Sequence, residues 1–128
     1  MALALCMPVA VPAQTTPAPS PSAATSERVQ AWNLCATYYN QGKFNEALSA
    51  CDRVIALEPK LADAYFIKGS VLVASSTVDA NGKVHAPAGT VEALKKYLEL
   101  APNGPHRADV LQMLDYIQGT PATPKPLR

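Results

Sequence analysis

"YYNQGKFNEALSACDRVIALEP" (Tyr38–Pro59) holds two helical patterns broken by Gln41-Gly42-Lys43. Upstream of the break, Ala31, Leu34, Cys35 and Tyr38 recur at spacings of three and four, which places them on one stripe of a helix running to about Gln41. Downstream, Phe44, Ala47, Leu48, Cys51, Val54 and Ile55 form the inner face of a second helix. Gly42 tolerates the left-handed conformation that ends a helix, and Pro59 cannot continue one. With only about three linking residues, the two helices must fold back antiparallel and pack on each other.

Working outward, Thr25 or Ser26 can cap the first helix, with Glu27 near its positive end. A third helix, about Leu61 to Ser75, carries Ala64, Tyr65, Ile67, Gly69, Val71 and Leu72 and lacks a wide polar stripe, so it should lie between neighbours. Thr77-Val78 and Val84-His85 flank Asp79-Ala80-Asn81-Gly82-Lys83, β-prone pairs around an Asn-Gly turn that predict a small hairpin. Thr90 caps a fourth helix that ends at Pro102. Pro105 opens a fifth, with Val110, Leu111, Leu114 and Ile117 on one face before Gly119.

The chain of 128 residues is 48% apolar and 16% charged with a formal charge of +1, enough for one modest core. Near-neutral charge leaves no electrostatic footprint for nucleic acid or an anionic membrane. Residues 1–13, "MALALCMPVAVPA", are apolar, uncharged and too few to span a bilayer; they resemble an export signal with Val11-Pro12-Ala13 as the cleavage triplet, without the usual positive charge near Met1. Residues 14–25 are Pro, Ala, Ser and Thr with Gln14, and read as a flexible linker; 119–128 read as a flexible tail. The folded part is 26–118, and the expected location is the bacterial periplasm or the extracellular space.

The helix endings "VIALEP" (Val54–Pro59) and "YLELAP" (Tyr97–Pro102) are variants of one phrase, with prolines 43 residues apart. In this the chain resembles the tetratricopeptide repeat (TPR) family, whose unit of about 34 residues is a helix-turn-helix. Leu34, Tyr38, Gly42, Phe44, Ala47, Val54 and Pro59 fall where that family places its leucine, tyrosine, turn glycine, aromatic, alanine, second small residue and terminal proline. Cys35 stands at the usual glycine and Ala31 at the usual tryptophan, with Trp32 one place later. Tyr65, Gly69, Leu72 and Pro102 match in the second unit, where Pro87 and Thr90 replace the aromatic and the alanine. The resemblance implies an all-α, short right-handed helical-hairpin solenoid of about five helices. Repeat one would be 28–61, repeat two 62–104 with a β-hairpin insertion at 76–89, and 105–118 a closing helix.

The resemblance also implies a non-catalytic protein–protein interaction module that binds a peptide or protein on its concave face, through Trp32, Asn33, Ala36, Tyr39, Asn40, Phe66, Ser70 and Val73. The lysine and asparagine arrangement by which some members clamp a terminal carboxylate is absent, so ligands of the chaperone-tail kind are not expected. Alternative roles are a self-associating structural repeat, hence a homo-oligomer, and an accessory subunit of an envelope assembly complex. Cys35 and Cys51 lie on facing stripes and lean toward one another. Two outcomes stay open: a disulfide in an oxidising compartment, or two buried thiols if the α-carbons lie beyond about 7 Å.

No catalytic residues, cofactor, metal or small-molecule substrate are expected: there is no phosphate loop or nucleophile motif. Too few carboxylates follow Asp79 and Asn81 for a calcium cage, and His85 and His106 read as isolated, without a carboxylate or thiol at ligand spacing. Glu92 and Glu99 read as exposed partners of Lys95 and Lys96.

Overall fold

The computed structural model describes residues 20–119, so the signal-like segment 1–13, most of the linker and the stretch 120–128 lie outside the described residues. Within these described residues five helices and one two-stranded sheet follow in the order α1 (Pro21–Asn40), α2 (Phe44–Leu57), α3 (Ala62–Ala74), β1 (Thr77–Val78), β2 (Val84–His85), α4 (Thr90–Leu100) and α5 (Arg107–Gln118). No described helix is long and apolar enough to cross a membrane.

The first helix starts earlier than its composition suggests. Ser20 stands at the N-cap and Pro21 opens the helix, so residues 21–25, expected as linker, are helical. Pro at the first helical position gives up an amide that has no partner there anyway, and Ala23 and Ala24 favour the helix.

At the break, Gly42 takes φ 70°, and the amides of Gly42 and Lys43 donate to the carbonyls of Tyr39 and Tyr38. The chain reverses, and α2 runs back along α1. Cys35 meets Cys51, Arg28 meets Glu58 at 2.7 Å and Arg53 pairs with Glu27, an antiparallel register throughout. The core between the helices consists of small side chains: Ala31, Cys35, Ala47, Ala50, Cys51 and Val54 are buried. Small residues let the axes come close enough for a disulfide, with Cys35 and Cys51 joined at a Cα–Cα distance of 4.9 Å. Of the two outcomes left open, the structure takes the disulfide.

Leu34 is a correction. Periodicity puts it on the buried stripe, but it is 47% exposed. It lies outside the apolar cluster that α1 shares with α2 and α3, which takes in Ala31 and Cys35 of the same helix. Leu111, 37% exposed on α5, is the counterpart at the other end.

α3 is central, in contact with all four other helices. Its Gly69 lets α4 approach closely: a Cβ there would lie 2.5 Å from Cδ2 and 3.0 Å from Cγ of the fully buried Leu94. Two apolar clusters result. One lies between α1, α2 and α3; the other joins α4 and α5 through Leu94, Tyr97, Val110 and Leu114, with Tyr65, Phe66 and Val73 of α3 against it. Tyr97 is fully buried, and its hydroxyl accepts the backbone N–H of His106 at 3.0 Å, so the turn into α5 is fastened to the last turn of α4.

The hairpin pairs Thr77 with His85 and Val78 with Val84. One Asp79 oxygen accepts the amides of Asn81 and Lys83, while the other lies 2.9 Å from His85 Nε2. These contacts hold the Asp79 carboxyl below its ordinary value of 3.8, with the His85 hydrogen bond as the largest cause. The reading of His85 as isolated is thereby corrected: six residues apart in sequence, the two groups face each other because the strands reverse. Thr90, the expected cap of α4, does not hold that position; Gly89 does, and the Thr90 hydroxyl donates to the Pro87 carbonyl at 2.6 Å.

Candidate functional site

Phe66 meets His106, and Ser70 meets Met113, so α3 and α5 run in the same direction side by side. α1 lies on the other flank of α3. The outer faces of these three helices form the surface that carries the candidate residues.

Between α1 and α3 lies a groove of about 220 Å³ lined by Trp32, Ala36, Tyr39, Asn40, Asp63, Phe66, Ile67 and His106. Five of the eight expected residues therefore meet in one place: Trp32, Ala36, Tyr39, Asn40 and Phe66. Val73 joins Phe66 in a second depression of about 430 Å³ between α3 and α5, with Asp109, Gln112, Met113 and Tyr116. Phe66 belongs to both.

Two expected residues do not line either. Asn33 is exposed but turns away from both depressions, being one residue, about 100° of helix, beyond Trp32. Ser70 is only 7% exposed; its hydroxyl donates to the Phe66 carbonyl at 2.8 Å and faces the Met113 sulfur at 3.8 Å. The arrival of α5 covers it, and a small hydroxyl that satisfies itself on its own helix suits that contact.

His106 is the residue that sequence reasoning missed. Its ring stacks on Phe66, centroids 3.9 Å apart and planes within 6°, and its Nδ1 lies 3.6 Å from an Asp109 oxygen. It is thus neither isolated nor remote from the groove. A signal was present: Asp63 and Phe66 stand four and seven residues after Pro59, and His106 and Asp109 stand four and seven after Pro102. Equal offsets from two helix-ending prolines bring Asp63 opposite His106 and Phe66 opposite Asp109, and the Phe66 side chain, leaning toward the N-terminus of α3, reaches back to the His106 ring.

Comparison with protein-family models, with curated proteins and with solved structures finds no match. The chemistry of the groove is therefore its own guide. The rings of Trp32, Tyr39, Phe66 and His106 offer apolar area and π faces, and Asn40 offers an amide that can both donate and accept. A third depression of about 320 Å³ lies over α2, α3 and α4, rimmed by Lys68, Glu92 and Lys96. It is larger than the groove, but long charged side chains frame it and Tyr65 is its one aromatic, so it is the poorer anchor for a partner.

Among the described residues no three histidine, cysteine, aspartate or glutamate side chains gather as metal ligands would. Among the described residues the carboxylate–imidazole contacts are Asp79 with His85 and Asp109 with His106.

Proposed function

We propose that this chain is a non-catalytic interaction module of the TPR kind, which holds an extended peptide or a protein segment against the face formed by α1, α3 and α5. The observation that carries the reading is the groove in which Trp32, Tyr39 and Phe66 come together with Asn40. Aromatic anchors in a depression, bordered by hydrogen-bonding groups, are what a protein surface uses to bind another chain. The TPR assignment is supported by the helix order, the antiparallel pairing of α1 with α2, Gly42 in the left-handed turn, and Ala47 and Gly69 at close helix approaches. The β-hairpin lies between the two helices of the second unit. The Cys35–Cys51 disulfide supports export to an oxidising compartment as part of the same proposal.

The test is site-specific photo-crosslinking in the cell that makes the protein, with the crosslinker at Tyr39 and a control at exposed Lys95 on α4. Capture of one foreign protein from Tyr39 and not from Lys95 is expected. Equal capture from both positions would remove the groove from the account.

A second reading, self-association, is favoured by the exposure of Leu34 at one end of the stack and Leu111 at the other. Sedimentation that stays monomeric at high concentration would dismiss it.

A further inference from the structure

Asn81-Gly82 and Asn103-Gly104 each set an asparagine before a glycine, a pair with a reaction of its own. The glycine amide nitrogen attacks the asparagine Cγ and a C–N bond forms. The side-chain nitrogen leaves as ammonia, taking up the proton that the glycine amide gives to solvent. Water then opens the cyclic imide on either side, to aspartate or to isoaspartate, whose main chain runs through the side-chain carboxyl. Glycine permits the attack because it has no side chain to obstruct its nitrogen and reaches backbone conformations closed to other residues. The other asparagines, Asn33, Asn40 and Asn45, precede Leu34, Gln41 and Glu46 and lie within α1 and α2, where the helix holds the backbone.

As sequence the two pairs are equal, and both asparagines are exposed. Each glycine amide also donates one hydrogen bond of 3.0 Å, Gly82 to the Asp79 carbonyl and Gly104 to that of Ala101, and must give it up to attack. The surroundings of the two glycines differ. Gly82 lies at the tip of the β-hairpin, where residues 79–83 are all exposed and a Cβ built on Gly82 would meet nothing within 4 Å beyond its chain neighbours. Two residue pairs close the strands, and the Asp79 carboxylate holds the turn through exposed contacts to the amides of Asn81 and Lys83. Gly104 is lodged between α4 and α5. A Cβ there would overlap the Tyr97 hydroxyl and lie 2.9 Å from the Ala101 Cβ. That hydroxyl also accepts the amide of His106, so swinging Gly104 toward Asn103 means withdrawing the whole turn from the fully buried Tyr97.

We propose that Asn81 is a site of spontaneous deamidation and isoaspartate formation in the folded protein, and that packing on Tyr97 protects Asn103 from the same reaction. This inference is independent of the groove-binding reading. Opening an exposed turn takes little free energy, whereas opening the junction of α4 and α5 disturbs the core. Isoaspartate adds a carbon to the main chain of the turn and sets a new carboxylate beside that of Asp79, so the amides of residues 81 and 83 no longer share one Asp79 oxygen. No residue of 79–83 lines the aromatic groove. The modification therefore loosens the tip of the hairpin and leaves the groove in place.

The test is incubation of the full, oxidised chain in mildly alkaline buffer, beside a sample unfolded in guanidinium chloride with the disulfide reduced. Peptide mapping by mass spectrometry at intervals measures the change from amide to acid at each asparagine, and chromatography separates isoaspartyl from aspartyl peptides. The unfolded sample gives the intrinsic rate of each pair. The ratio of folded to unfolded rate should be at least about tenfold higher at Asn81 than at Asn103, as local openings of very different cost imply. Tyr97→Phe, with helix content unchanged, should raise the folded rate at Asn103 about fivefold, as loss of one hydrogen bond implies, and leave Asn81 unmoved. Equal ratios at the two pairs, or an Asn81 that does not convert in the folded chain, would overturn the modification site. An Asn103 as slow in Tyr97→Phe as in the parent would overturn the protective role of Tyr97.

Discussion

The two helical hairpins solve one problem by opposite means. The first packs α1 on α2 through alanines, a valine and two half-cystines, and a covalent bond ties the pair together. The second packs α3 on α4 without a covalent link, through a glycine that admits Leu94 and a buried tyrosine that also fastens the start of α5. The fully buried side chains between α1 and α2 are small and bury little area each, larger ones such as Phe44 and Leu48 lie only partly buried around them, and the disulfide adds to this by restricting the unfolded chain. The second gains area from Leu94 and Tyr97 but depends on a tight fit, and its stability should be the more sensitive to shape.

That contrast can be broken experimentally, and the covalent link should matter most. Replacing both Cys35 and Cys51 by alanine removes a cross-link between residues 16 apart in sequence, a loop whose closure contributes about 3 kcal/mol. Urea unfolding should show a loss of that order, and hydrogen exchange should place it in α1 and α2. A loss below about 1 kcal/mol would mean that the first hairpin is held by packing alone.

Gly69→Ala is the corresponding test of shape and should cost about 2 kcal/mol, because the new methyl would overlap Cδ2 of the fully buried Leu94, which must shift within the core. Combining it with Leu94→Ala should then cost less than the separate losses added, since the smaller side chain relieves the clash. Strict additivity in that double-mutant cycle would show that Gly69 and Leu94 do not press on each other.

The smallest effect belongs to the β-hairpin. Asp79 titrates below the ordinary aspartate value in the folded protein, so as pH falls the unfolded chain takes up its proton first. Its contribution is therefore fully present above the unfolded value, near 3.8, and fades as pH falls through the folded one. NMR titration of the Asp79 carboxyl should show the lowered midpoint, and Asp79→Asn should loosen the 79–85 turn at neutral pH while leaving the helices intact. An ordinary midpoint would remove the stabilising role of the His85 contact.

Much of this is legible in the sequence. Gly42, Pro59 and the Asn81-Gly82 pair act locally, through backbone geometry, and the hairpins they predict stand where expected. The strands match residue for residue at Thr77, Val78, Val84 and His85. Illegible are the contacts set by what arrives from elsewhere. Ser70 reads as outward because nothing in its own helix reveals that α5 will cover it. Leu34 reads as inward because helical periodicity marks a stripe but not how wide a neighbour is. His106 escapes notice because a ring stack across 40 residues leaves no periodic trace within either helix. The start of α1 is hidden because a Pro-, Ala- and Ser-rich composition suits a linker and the opening turn of a helix equally well.

Phe66 packs against both apolar clusters and lines both depressions. Most positions on a binding surface can drift to retune a ligand without disturbing the scaffold beneath. Phe66 lacks that freedom: on the binding role proposed above, a replacement there that changed recognition would also change the packing of two interiors. On that proposed role, a change of specificity would proceed around Phe66, at Asn40, Gln112 or Tyr116, with the central ring as the point about which recognition is varied.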